Sequence, residues 1–195
     1  MTTARMEAFS DGVIAILITI MVLELKVPHA ADWESVRPLF PVLIAYALSY
    51  IYLGIYWSNH HHMLVATDRV NGGILWANLH LLFWLSLVPF TTEWVGEHYH
   101  ESLPTAIYGG VLLMAAIAYT ILQETIIADQ GAGSKLRAAV GKDRKGKFSA
   151  LMYFAAIPLA YVGPAISDLI YVGIAMVWLV PDRRIEERVA ELAGD

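Results

Sequence analysis

Apolar runs that approach the length of a membrane crossing recur along this chain of 195 residues, punctuated by charged or Gly- and Pro-bearing segments. A crossing helix needs about 20 such residues, because hydrocarbon is about 30 Å thick. Candidate spans lie near residues 5–27, 36–59, 71–95, 103–128, 148–162 and 164–180. The last two come from one run, Phe148 to Val180, which as a single helix would reach about 50 Å. Gly163-Pro164 interrupts it, and this pairing ends one helix and opens the next. The expected fold is all-α: one transmembrane domain over residues 1–195, with six helices, a basic loop near 129–147 and a charged tail over 182–195.

Composition excludes other classes. With 57% hydrophobic and 16% charged residues and a mean hydropathy of +0.54, the chain lacks the polar surface to coat a soluble helical bundle. Cysteine is absent, so there is neither a disulfide framework nor a thiolate metal site. Glu24, Lys26 and Pro28 end the first apolar run with no small-residue cleavage site, so it is a retained span. A net charge of −5, with no interleaving of aromatic and basic residues, argues against nucleic-acid binding. No Ser-His nucleophile pair or metal-ligand set at helical spacing supports an enzyme, and no cofactor is expected.

Charge sets the orientation. Lys135, Arg137, Lys142, Arg144, Lys145 and Lys147 precede the fifth span and Arg183, Arg184 and Arg188 follow the sixth, which places both flanks in the cytoplasm. Both termini are then cytoplasmic in a multi-pass protein of the cell membrane. Arg5 and Arg69 share that side, while Lys26 and Arg37 face out among Glu24, Asp32, Glu34, Glu93, Glu97 and Glu101. Trp33 and Trp94 fall at the outer interface and Trp57 and Trp178 at the inner one, as an aromatic belt requires.

The first span carries the costliest chemistry. Arg5 and the run Phe9-Ser10-Asp11 stand at its mouth, and ionisable groups at such a place are functional or assembly residues by default. Arg5 and Asp11 lie on different sides of a helix, so their partners come from other spans. Trp57, His60, His61, Asn78 and His80 have a similar depth and can form an interhelical collar; alternatively Asp11 is an exposed carboxylate favoured by the helix dipole. Three consecutive histidines, His60 to His62, diverge on a helix and do not make a metal site by themselves. Further out, Ile16, Thr19, Ile20, Leu23 and Val27 fall on one stripe, with Thr19 the only hydroxyl past Ser10. Periodicity does not distinguish a pore lining from a lipid-facing or packing face here, because the helix is apolar nearly all round.

The signature Arg5-x-x-x-Phe9-Ser10-Asp11 resembles that of the transmembrane protein 175 family of potassium channels. The likeness continues at Leu23-Glu24-Leu25-Lys26-Val27-Pro28, at Trp57 with His60 and His61, and at Asn78 followed by Pro89-Phe90-Thr91. It implies a homotetramer for a chain with one six-span unit, with the first helices around a central potassium pore. The resemblance makes Ile16, five residues after Asp11, the gate, with Ile20 and Leu23 extending the apolar neck and Thr19 aiding selectivity. The chain lacks the Thr-Val-Gly-Tyr-Gly carbonyl filter; Tyr161-Val162-Gly163 and Tyr171-Val172-Gly173 have the wrong order. Modest preference for potassium over sodium follows. A proton-coupled transporter using Asp11, Glu24, Glu124 and the histidines is the alternative, although the spans show no inverted pair of broken helices.

Overall fold

A computed structural model describes residues 2–141 and 143–179, so Lys142 and the tail over 182–195, with Arg183, Arg184 and Arg188, lie outside the described residues. The regular elements are helical: α1 (Thr3–Leu23), α2 (Trp33–Val36), α3 (Phe40–Val65), α4 (Gly72–Ser86), α5 (Val88–Glu97), α6 (Ser102–Gln130), α7 (Lys135–Val140), α8 (Arg144–Leu159) and α9 (Pro164–Leu179). Among the described residues, four stretches are long and apolar enough to cross a membrane: Thr3–Leu23, Trp33–Val65, Gly72–Glu97 and Ser102–Gly133. The helices α8 and α9 have 16 residues each, which gives a length of about 24 Å.

Local chemistry explains the boundaries. Asp32 caps α2 by accepting from the Ser35 amide at 2.9 Å, and those bonds hold its carboxyl below the usual range. A 3-10 turn at Arg37–Leu39 leads on into α3. The third long stretch breaks at Leu87 because Pro89 offers no amide. Beside the break, the Thr91 hydroxyl lies 3.1 Å from the Leu87 carbonyl and the Thr92 hydroxyl 2.7 Å from that of Val88. Gly163-Pro164 turns the chain between α8 and α9 as its sequence predicts.

Two expectations need correction. The first helix ends at Leu23, so Val27 lies in the following loop and not on the helical stripe; Pro28 and the polar Glu24 and Lys26 do not continue an apolar helix. The described residues of the segment 129–147 are largely helical rather than a plain loop. Ser134 caps α7 through the Arg137 amide, Gly141 ends it at φ 60°, and Leu136 anchors it in the core. Asp143 then caps α8 by accepting from Gly146 at 3.1 Å, an approach that leaves no room for a Cβ on Gly146.

The helices pack around two apolar cores. One unites α1, α3, α4 and α6 through residues such as Ile14, Leu53, Leu81 and Leu122. The other joins α3, α5, α6, α8 and α9 around Tyr52, Tyr108, Tyr153 and Tyr171. Three of these hydroxyls, those of Tyr52, Tyr108 and Tyr171, have partners, since burial without one would be costly. Tyr52 donates to the Tyr171 carbonyl at 2.6 Å, Tyr171 to that of Thr105 at 3.1 Å, and Tyr108 lies 2.9 Å from Ser49 Oγ. Gly109 permits this contact, because a Cβ there would overlap the Tyr171 hydroxyl. The result is a stiff frame of helices beside α1.

Candidate functional site: the first helix and its collar

Helix α1 is fixed to the bundle by one face only. Met6, Ser10, Ile14, Leu17 and Met21 are buried, whereas Ile16 is 56% exposed, Ile20 40% and Leu23 79%. At about 100° per residue, Arg5, Phe9, Ile16, Ile20 and Leu23 share that uncovered side. Thr19 is on it too, and its hydroxyl donates to the Ile16 carbonyl at 2.9 Å. That bond uses the hydroxyl proton and leaves the oxygen able to accept. Packing within the chain thus leaves this stripe of α1 uncovered.

The other side of the N-terminal end of α1 carries a directed set of polar bonds. His60 Nε2 lies 2.7 Å from Asn78 Oδ1, Asn78 Nδ2 donates to Ser10 Oγ at 2.9 Å, and Ser10 Oγ donates to the Met6 carbonyl at 2.9 Å. The bond from Asn78 to Ser10 fixes the amide orientation, so His60 carries its proton on Nε2. Around this buried chain, Trp57 Nε1 donates to Asp11 Oδ1 at 3.0 Å and His61 Nδ1 lies 2.7 Å from Glu7 Oε1. Trp57 and His61 on α3 thus reach Asp11 and Glu7 of α1 directly, whereas His60, also on α3, reaches Ser10 through Asn78 on α4.

Ser10, Asp11, Trp57, His60, His61 and Asn78 come together, but three other signature positions do not. Arg5 is exposed and, among the described residues, has no side-chain hydrogen bond or ion pair. Phe9 is 51% exposed on the uncovered side. His80 accepts from Trp84 within α4 at 2.9 Å and joins no bond to α1. Glu7 was not anticipated from sequence; its spacing of four from Asp11, which puts both on one helix face, was the available signal.

At the opposite end, Glu24, Lys26, Glu93 and Glu97 border a cavity of about 460 Å³. Lys26 pairs with Glu97, and that carboxylate holds the ammonium above its usual range. Among the described residues no group of three or more His, Asp or Glu can hold a metal ion.

The family profile "Endosomal/lysosomal potassium channel TMEM175" matches residues 5–89. A potassium channel of Chryseobacterium sp. is 51% identical over 191 residues, 98% of this chain and 100% of that protein. The chain belongs to the TMEM175 family. The crystal structure of a lysosomal potassium-selective channel TMEM175 homologue from Chamaesiphon minutus superimposes with a TM-score of 0.81 at 28% identity, covering 92% of this chain and 97% of that one. The endosomal/lysosomal proton channel TMEM175 of Gallus gallus is 26% identical over 110 residues, 50% of this chain and 22% of that protein. The TMEM175 profile takes in α1, α3, α4 and every collar residue, as the Arg5 to Asp11 signature led us to expect.

Proposed function

We propose that the chain is a potassium-permeable cation channel with modest selectivity over sodium, formed by four copies whose α1 helices surround a central pore. One observation carries this: the uncovered stripe of α1, Ile16, Thr19, Ile20 and Leu23, belongs to a helix whose opposite face is locked into its own bundle. Facing three symmetry mates, the aliphatic residues form a neck that excludes water when narrow. Ile16 is the gate, Ile20 and Leu23 lengthen it, and Thr19 offers a ring of oxygens to a passing cation. The collar of Ser10, Asp11, Trp57, His60, His61 and Asn78 holds α1 in place, and Arg5 and Phe9 belong to the pore-facing side at the inner mouth.

Six crossings with both termini in the cytoplasm account for the charge distribution. The Arg69–Asp129 pair at 2.9 Å and the Lys135–Asp68 pair at 3.9 Å gather the α3–α4 connection and the basic segment at one end. The acidic groups around Lys26 occupy the other. The single transmembrane domain covers residues 1–195, the protein resides in the cell membrane, and potassium is the permeant ion with no cofactor.

Reversal potentials in proteoliposomes test this reading. Passive current that follows a potassium gradient at symmetrical pH is expected. Current that instead follows a proton gradient at symmetrical potassium would favour proton permeation, the function in the name of the Gallus gallus relative, and obligatory coupling of the two ions would favour a transporter.

A further inference from the structure

A second feature lies away from α1, on the outer side of α8 and α9. A groove of about 250 Å³ is lined by Phe148, Met152, Ile170, Gly173, Ile174 and Val177. The one hydroxyl beside it, Ser149 Oγ, already accepts from Trp178 Nε1 at 2.8 Å and donates to the Lys145 carbonyl at 2.9 Å. The groove is therefore apolar. Gly173 keeps it open: a Cβ there would meet nothing within 4 Å. A mid-helix glycine costs about 1 kcal/mol relative to alanine, and no packing within the chain requires this one.

Cations stand at one end of the groove. Arg144, Lys145 and Lys147 occupy the first turn of α8, immediately before Phe148. Arg144 and Lys147 are exposed and, among the described residues, pair with no carboxylate; Lys145 Nζ lies 4.5 Å from the centre of the Trp178 ring. A tryptophan with a polar tip and a cation above it marks the level of lipid headgroups. An apolar channel below clustered cations is complementary to one kind of molecule, a negatively charged headgroup with an attached hydrocarbon chain.

We propose that the α8–α9 groove holds an acyl chain of an anionic phospholipid whose phosphate is received by Arg144, Lys145 and Lys147. The proposal rests on the transmembrane reading above, and its readout is lipid retention, which is independent of ion flux. The purified channel is exposed to equal amounts of phosphatidylglycerol and phosphatidylcholine, and bound lipid is counted by native mass spectrometry. Wild-type protein should retain phosphatidylglycerol preferentially. Arg144→Gln and Lys147→Gln should each reduce that preference about fivefold, as expected for one surface cation. Gly173→Leu, whose Cβ would meet nothing within 4 Å and whose branched end would occupy the groove, should lower retention of both lipids. Equal retention by the wild type, or full retention by Gly173→Leu, overturns the proposal. So does dissociation of the assembly by Gly173→Leu, which would show that a second copy of the chain covers the groove.

Discussion

Asn78→Ala should loosen α1 by removing the middle link of the buried chain from His60 to Met6. Asn78 is buried and joins His60 on α3 to Ser10 on α1. Without its carbonyl, the proton on His60 Nε2 has no acceptor in a ring whose Nδ1 already lacks a partner. An orphaned buried group costs about 1–3 kcal/mol in proteins generally. Polar bonds between membrane helices average about 0.6 and reach about 1.7 kcal/mol. The two ranges meet near about 1.5 kcal/mol for Asn78→Ala. Ser10→Ala should cost less, about 1 kcal/mol, because the lost Ser10–Met6 bond is internal to α1 and only Asn78 Nδ2 is stranded. The double variant should cost less than the sum by about 0.6 kcal/mol, since both single changes break the same Asn78–Ser10 bond. Unfolding by detergent titration, followed by tryptophan fluorescence, gives all three values. Strict additivity, or wild-type stability in Asn78→Ala, would refute the argument, and bi-ionic potentials should stay unchanged throughout.

Three further outcomes are expected. Ile16→Asn should raise basal cation current, because an amide supports water where an aliphatic side chain expels it; unchanged single-channel recordings from assembled protein would remove Ile16 from the gate. Thr19→Val keeps the shape and loses the oxygen, so bi-ionic reversal potentials should show a small fall in potassium preference with the closed state intact. Gly109→Ala should destabilise the fold by about 1–3 kcal/mol through overpacking against Tyr171, while Gly110→Ala, with no neighbour within 4 Å, should leave the melting temperature unchanged or raise it.

The helical class and the turn at Gly163-Pro164 were legible because both follow from local rules: apolar length in one case, and the missing proline amide in the other. The collar was legible in kind, since Asp11, Asn78 and the histidines are too polar for hydrocarbon without partners. Its membership was less so. Whether His80 turns toward α1 or back to Trp84 depends on helix rotation, which a nearly uniform apolar surface does not encode. The same uniformity left the exposed side of α1 undecided until its neighbours covered Ile14, Leu17 and Met21. Helix α7 was missed for a different reason: the glycines and basic residues of the surrounding segment 129–147 suggest a solvated loop, whereas Ser134 and Leu136 give so short a helix a cap and an anchor.

The fastening of α1 is unequal along its length. Interhelical polar bonds attach it at Glu7, Ser10 and Asp11; from Gly12 to Leu23, among the described residues, its side chains make none. Directional bonds resist rotation and sliding, while apolar contacts such as those of Ile14, Leu17 and Met21 allow small displacements at little cost. Asp11 is thus a pivot, and the remainder of the helix is a lever arm of about 18 Å. A tilt of about 5° about that pivot carries Leu23 sideways by about 1.6 Å but Ile16 by only about 0.7 Å. Sensitivity to a small push therefore grows steadily with distance from the signature residues, and a force applied near Lys26 has the greatest mechanical advantage.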